Sequence, residues 1–152
     1  MSNDIAELFT EYFLAIDMTA RNVQDEAIRK GLPWDVAKGF DTFLPLSLPI
    51  PKDRVINPQD ARLWLSVNGQ LRQNDNTNLM LYKIPEQLSE ISSVMALEPG
   101  DIVLTGTPKG VGAVNPGDVI RAGLSIEDKP IHEASLEFSV EDSQGRYSFS
   151  ET

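Results

Sequence analysis

Two neighbouring segments in the first third of the chain place charged and amide side chains on an otherwise apolar background. They cover residues 14–24 and 32–41. Their polar side chains are a carboxylate, a guanidinium, an amide and an amine, at Asp17, Arg21, Gln24 and Lys38. Such groups are costly to bury unless they meet one another, a ligand or a metal ion. A fold that accommodates them must bring them together, so a site is expected here.

Size and charge narrow the possible classes of function. The 152 residues suit one domain, taken as residues 1–152, and no apolar run is long enough to cross a bilayer. A net charge of -10 repels phosphate backbones and anionic lipids, so neither nucleic acid nor a membrane is expected as a partner. With no cysteine and a single histidine, the chain lacks the residues for thiolate or multi-histidine metal sites. Oxygen-ligand chemistry, which suits Mg²⁺, Ca²⁺ and Mn²⁺, remains.

Helical spacing of apolar residues predicts three helices. They cover residues 3–12, residues from about 19 to 30, and a segment opened by Pro85. Gly31 marks the end of the second helix. The third is expected to carry Leu88, Ile91 and Met95 on its inner face.

Alternation of apolar residues predicts strands in the second half. Leu63, Leu65 and Val67 alternate before Asn68-Gly69, the residue pair that a type I′ hairpin turn favours. Two Pro-Gly-Asp turns, at 99–101 and 116–118, each precede a short β-branched run that is expected to form a strand.

The remaining segments complete the expected architecture. Prolines make residues 45–58 an extended connector, and residues 74–78 are expected to form a polar loop. Residues 136–140 alternate again, and a turn at 144–145 is expected to lead into a last strand at 147–149. The pattern indicates an α+β fold, with an antiparallel or mixed sheet and helices at its side.

Each candidate site residue also has a plainer structural interpretation. Asp17 precedes a predicted helix, and its residue type alone favours a helix cap over a metal ligand. Arg21 and Gln24 lie three residues apart, so they can grip a carboxylate or simply form a solvated helix face, which is the commoner case. Lys38 can stabilise a developing enolate or extend to solvent, and both interpretations stay open.

A glycine-rich loop at 104–112 offers backbone amides and hydroxyl groups to an anion. It lacks the spacing of a Walker loop, and a turn that needs positive φ explains its glycines about as well.

Taken together, these motifs resemble the fumarylacetoacetate hydrolase superfamily, in its small single-domain branch of acylpyruvases, oxaloacetate decarboxylases and oxaloacetate tautomerases. The resemblance spans nearly the whole chain. It rests on the segments 17–26, 30–34, 37–41, 67–69, 71–73 and 100–112.

The resemblance implies a β-rich fold of mixed sheets and rolls, usually a homodimer, with Mg²⁺ or Mn²⁺ held by three carboxylates. It gives Asp17 as one metal ligand, Arg21, Gln24 and Lys38 as catalytic residues, and Gly106 and Thr107 as contacts of the substrate. The implied substrate is a small anionic 2-oxo acid, which reacts by hydrolysis, decarboxylation or keto-enol tautomerisation through a stabilised enolate. Relatives are often mitochondrial, although no targeting signal is visible and a cytoplasmic location is the alternative.

The chain also departs from the family's pattern. Members carry a Glu-x-Glu pair of metal ligands and a lid with a His-Glu dyad upstream of the segment that matches Asp17. Here sixteen residues precede Asp17, and they contain no Glu-x-Glu. The expectation is therefore a partial, N-terminally truncated catalytic domain. The alternative is a non-catalytic binding or assembly protein that retains the fold.

Overall fold

The structure is a computed structural model that describes residues 9–145 and 147–150. The elements follow in the order β1 (Glu11–Tyr12), α1 (Arg21–Lys30), α2 (Asp35–Lys38), β2 (Ile50–Pro51), β3 (Ala61–Val67), β4 (Gln70–Asn76), α3 (Ile84–Val94), β5 (Val119–Ile126), β6 (Lys129–Pro130) and β7 (Leu136–Ser139). Helices cluster early and in the middle while strands dominate the second half, so the predicted α+β class is confirmed. No helix in the described part of the chain combines the length and apolar character needed to span a bilayer.

One five-stranded sheet organises the second half. Its order is β4-β3-β5-β6, and β7 also pairs with β5. β5 pairs with β3 along one edge, while its other edge pairs first with β7 and then with β6. β1 and β2 form a separate two-stranded sheet. Every strand pair found among the described residues is antiparallel, which decides between the antiparallel and mixed alternatives.

The hairpin of β3 and β4 forms as the sequence predicts. Asn68 and Gly69 both adopt positive φ, at 51° and 77°, which a type I′ turn requires. However, β4 continues through Asn76, so the polar loop expected at 74–78 is wrong over its first three residues. β4 is an edge strand, and β3 pairs with the backbone along one of its sides while polar side chains remain at the surface.

A glycine makes room for an aromatic ring at the centre of the sheet. Gly123 of β5 lies opposite Trp64 of β3. A Cβ atom at Gly123 would lie 2.6–2.8 Å from atoms of the indole ring, closer than non-bonded atoms approach. The glycine thus allows the ring to lie flat across the neighbouring strand.

The core joins the first segments of the chain to the sheet. Its buried members are Leu14, Ile50, Val55, Ala122, Ile131 and Ala134. Leu63 and Leu65 of β3 pack against this cluster. The segment that leads into Asp17 is therefore anchored by burial of Leu14, with the transfer of apolar surface from water as the main driving force.

Several other local predictions are wrong. Tyr12 lies in a strand rather than at the end of a helix, because residues 11–12 pair with β2, and the rest of that predicted helix up to residue 8 lies outside the described residues. The run after the first Pro-Gly-Asp turn and residues 147–149 are not assigned as strands. Met95 follows the last residue of α3 and is 59% exposed, so it does not join Leu88 on the buried face.

A small polar network ties the hairpin turn to the start of β5. Asn68 Nδ2 donates to Asp118 Oδ1 over 2.7 Å, and the Asn115 backbone amide donates to Asp118 Oδ2 over 2.8 Å. The Val119 amide donates to Asn68 Oδ1 over 2.9 Å. The hydrogen bond from the Asn115 amide, followed by that from Asn68, lowers the pKa of Asp118 below its ordinary value of 3.8.

This network predicts an acid-dependent contribution to stability. A carboxyl group whose pKa is lowered on folding stabilises the native state above its unfolded pKa, and this stabilisation is lost as the pH falls through the lowered value. We expect Asp118→Asn to reduce the free energy of unfolding at pH 7, with the deficit shrinking as the pH falls below about 4. Urea unfolding of the variant and the unchanged chain, at pH 7 and again below about pH 4, measures this deficit. Asp53→Asn, at an exposed position, is the control, and a deficit that does not change with pH would contradict the assignment.

Candidate active site

Backbone hydrogen bonds bring the two polar segments side by side. The Met18 amide donates to the Phe43 carbonyl, and the Ala20 amide donates to the Ala37 carbonyl, each over 3.0 Å. The second of these bonds joins the start of α1 to α2. Lys38, the last residue of α2, is thereby held against the strand-like segment that carries Asp17.

Asp17 and Lys38 form an ion pair. Lys38 Nζ donates to Asp17 Oδ2 over 2.5 Å, and the two side chains are 31% and 39% exposed. The helix-cap interpretation of Asp17 is wrong, because the N-cap position of α1 is Ala20 and no side chain caps it. An ion pair this exposed adds about 0–1 kcal/mol to stability. Stability therefore gives only a weak reason for placing the pair here.

Helix α1 holds a second polar pair. Arg21 Nη1 donates to Gln24 Oε1 over 2.8 Å. Gln24 is only 5% exposed and lies between Val23 and the buried Ala27 on the inner face of the helix. The solvated-face interpretation is therefore wrong for Gln24. Its Oε1 accepts the hydrogen bond from Arg21, and its Nε2 is the donor that it can offer to a ligand.

The C-terminal end of α1 explains why the helix stops where the sequence indicates. Gly31 takes a left-handed φ of 64°, and the Leu32 amide donates to the Ala27 carbonyl over 2.8 Å. This is the Schellman arrangement that glycine permits without steric cost. It turns the chain toward α2, and this turn helps to place Lys38 near Asp17.

All six candidate residues line one cavity of about 810 Å³. They are Asp17, Arg21, Gln24, Lys38, Gly106 and Thr107. The first four come from the segment around α1 and α2, whereas the last two come from the glycine-rich loop, more than sixty residues later. The six residues thus share the wall of a space large enough for a small ligand, and the direct contacts among them are those of Lys38 with Asp17 and of Arg21 with Gln24.

The glycine-rich loop is held against β4 and α3. Gln73 Nε2 donates to Thr107 Oγ1 over 3.0 Å and to the Pro108 carbonyl over 2.7 Å. Gln87 Nε2 donates to the Thr105 carbonyl over 3.3 Å. Gly110 has a φ of 100°, and a Cβ there would lie 2.0 Å from the Arg72 carbonyl oxygen, so only glycine fits.

Sequence reasoning assigned no role to Gln73 or Gln87. A glutamine on an edge strand or a helix is ordinarily a surface residue, and nothing in the local pattern separates these two from the others. Contacts with the loop at 104–112, far away in sequence, give them their significance.

The carboxylates at this site do not by themselves make a complete metal centre. Divalent Mg²⁺ and Ca²⁺ take about six to eight oxygen ligands, usually including more than one carboxylate. Among residues 9–145 and 147–150, no three Asp, Glu or His side chains lie close enough together to hold an ion. Asp17 can supply one ligand, and a cluster of three such side chains is not found among the described residues.

Known proteins share this sequence at high identity. The chain is 50% identical over 141 residues to "Oxaloacetate tautomerase oaa1, mitochondrial" of Schizosaccharomyces pombe, covering 92% of this chain and 64% of that protein. It is 49% identical over 144 residues to "Oxaloacetate tautomerase FMP41, mitochondrial" of Saccharomyces cerevisiae, covering 91% of this chain and 55% of that protein. The chain therefore spans between about half and two thirds of the length of these relatives.

Solved structures share the fold. A yeast fumarylacetoacetate hydrolase family protein, ynq8, superposes with a TM-score of 0.91 at 45% identity, over 99% of this chain and 63% of that one. The fumarylpyruvate hydrolase of Pseudomonas aeruginosa, solved in complex with Mn²⁺ and pyruvate, superposes with a TM-score of 0.83 at 30% identity, over 93% of this chain and 58% of that one.

The family model described as "Fumarylacetoacetate (FAA) hydrolase C-terminal" matches residues 4–136, which is most of the chain. Residues 4–136 include both polar segments and the glycine-rich loop that together line the cavity. The chain belongs to the fumarylacetoacetate hydrolase family.

Proposed function

We propose that this chain is a catalytic domain, residues 1–152, that acts on a small anionic 2-oxo acid through a stabilised enolate. The observation that supports this most is the Lys38–Asp17 ion pair on the wall of a cavity that Arg21, Gln24 and Thr107 also line. The names of relatives, which include oxaloacetate tautomerases and a fumarylpyruvate hydrolase, point to the same class of substrate.

Charge explains how an acidic protein would attract such a substrate. The chain carries a net charge of -10, which repels a dianion such as oxaloacetate from most of its surface. Arg21 and Lys38 place two cations on the cavity wall. Arg21 is also steadied by its hydrogen bond to Gln24, so its fork is oriented before a carboxylate arrives.

Lys38 is the residue assigned to the developing enolate. Its ammonium has three donors, and the Asp17 carboxylate accepts from one of them. The other donors can contact the 2-oxo oxygen, which carries the negative charge in the enolate form of the substrate. A donor aimed at that oxygen lowers the barrier because it interacts more strongly with the enolate than with the ketone.

Mg²⁺ or Mn²⁺ is the proposed cofactor, with Asp17 as one ligand. Support comes from the Mn²⁺ in the Pseudomonas aeruginosa relative and from the oxygen-only chemistry of the site. When bound, such an ion supplies Lewis-acid polarisation of a carbonyl oxygen.

Tautomerisation of oxaloacetate is the favoured reaction of the three. Tautomerisation and decarboxylation mainly require a stabilised enolate, whereas hydrolysis also requires an activated water molecule. The described residues include one histidine, His132, which lies in a short turn and not on the cavity wall. Glu141 and Asp142, whose carboxylates can act as general bases, also line the cavity. The preference for tautomerisation rests instead on the names of the two yeast relatives, which are both oxaloacetate tautomerases.

Assembly and location are inferred along with the activity. We infer a homodimer, as the family resemblance implies, and consecutive exposed apolar side chains such as Leu81 and Tyr82, at 94% and 67% exposure, are suited to an interface. A mitochondrial location follows from the names of the yeast relatives.

A second candidate function has one observation in its favour. The described residues do not include a three-carboxylate cluster, which favours a binding or assembly protein that keeps the cavity without turnover. The cations at Arg21 and Lys38 serve anion binding in either case. Metal binding and turnover separate the two candidates.

The first test removes the Lys38 amine. We expect Lys38→Met to lower kcat/KM for the enol-to-keto conversion of oxaloacetate by about 100-fold, because one donor to the enolate is lost. The decay of the ultraviolet absorbance of the enol measures the rate. Lys52→Met, at an exposed lysine outside the cavity, is the matched control, and equal rates in the two variants would exclude Lys38 from catalysis.

The second test titrates Mn²⁺ into the full chain and follows both binding and turnover. Saturable binding that Asp17→Asn weakens, together with turnover that EDTA abolishes, is expected for the enzyme because a neutral amide is a poorer ligand for a hard cation. Asp53→Asn controls for the loss of one charge. No saturable binding and no turnover would favour the non-catalytic alternative.

A further inference from the structure

The carboxamide of Gln73 is placed so that it determines how Thr107 can interact with a ligand. We propose that Gln73 is a positioning residue that makes the Thr107 hydroxyl a hydrogen-bond donor to an acceptor oxygen of the ligand, such as a carboxylate oxygen. The nature of this ligand rests on the proposed function, whereas the orientation of the two side chains does not. Both residues line the cavity of about 810 Å³.

The Pro108 carbonyl fixes the orientation of the Gln73 amide. Gln73 Nε2 lies 2.7 Å from the Pro108 carbonyl oxygen, which can only accept a hydrogen bond. If the amide were rotated by half a turn, its own oxygen would face that carbonyl oxygen with no proton between them. The NH₂ group must therefore point toward the glycine-rich loop.

The same NH₂ group then fixes the role of the hydroxyl. Its second hydrogen is donated to Thr107 Oγ1 over 3.0 Å, and an NH₂ group of an amide does not accept hydrogen bonds. The hydroxyl oxygen must be the acceptor in this contact. Its single proton is left over, and it can be donated to a ligand in the cavity.

The surroundings keep this arrangement in place. Gln73 lies on β4, where it pairs with Leu65 of β3 in the sheet. Gly110 allows the loop to lie close to the Arg72 carbonyl of the same strand, where a Cβ atom would clash. Thr107 lies on a loop, but its position is fixed by contacts with a strand of the sheet. Contacts with ligands are more precise when regular secondary structure supports them in this way.

Removing the Gln73 donor should redirect the hydroxyl proton. In Gln73→Leu the Pro108 carbonyl loses its donor, and Thr107 becomes free to turn its proton away from the ligand. We expect the affinity for pyruvate, used as a 2-oxo acid probe, to fall by about threefold to tenfold, the range of one neutral hydrogen bond. Gln70→Leu, at an exposed glutamine on the same strand, is the control and should bind pyruvate as the unchanged chain does.

A double-mutant cycle separates positioning from simple loss of structure. Thr107→Val removes the hydroxyl. If Gln73 acts only through this hydroxyl, adding Gln73→Leu to Thr107→Val causes no further loss of pyruvate affinity. Effects of the two substitutions that simply add would overturn the proposal, because Gln73 would then act independently of Thr107.

A spectroscopic measurement tests the geometry even if the chain binds no pyruvate. In the ¹H–¹⁵N spectrum of the full chain, both side-chain amide hydrogens of Gln73 should exchange with water more slowly than those of the exposed Gln70, and Thr107→Val should remove the protection of one. Absence of both binding and turnover overturns the proposed function alone. Exchange of Gln73 as fast as that of Gln70 overturns the positioning role alone.

Discussion

The backbone pairing between the segment before α1 and the chain around α2 determines the rest of the site. The bonds from Met18 to Phe43 and from Ala20 to Ala37 set the distance between two stretches that are otherwise separate in sequence. Without this pairing, the Lys38 amine would have no reason to lie near the Asp17 carboxylate. The pairing is itself anchored in the core, because Leu14 is buried with Ile50 just before the polar residues begin. Burial of apolar surface thus positions groups that contribute little to stability themselves.

Much of this arrangement could be predicted from sequence because local rules determine it. Asn68-Gly69 specifies a hairpin through φ values that few other residues adopt, and Gly31 ends α1 for the same reason. The class of fold follows from the distribution of such signals. The resemblance to the family supplied the proposed roles of residues such as Arg21 and Thr107, which no periodicity of the chain indicates.

The wrong predictions share a physical cause, which is that partners distant in sequence override local preference. Residues 74–76 are polar and locally suited to a loop, yet pairing with residues 62–64 makes them a strand. Tyr12 fits a helical pattern, but β2 supplies a backbone partner for it. Gln73 was overlooked for the same reason, since its significance depends on hydrogen bonds with a loop more than thirty residues further on.

The enzyme and the binding protein would both use the cations of the cavity. Only the enzyme also needs groups that stabilise the charge of an enolate. Arg21 and Lys38 attract a small anion whether or not it reacts, so anion binding alone does not distinguish the two functions. Enolate chemistry requires in addition that charge appearing on the 2-oxo oxygen be met at the moment it develops. The superposition with ynq8 covers 99% of this chain at a TM-score of 0.91, so the cavity belongs to a framework shared with a longer protein of the family. For the proposed metal-assisted reaction, the number of carboxylates around Asp17 sets how tightly the ion is held, because one ligand holds a hard cation far more weakly than several do.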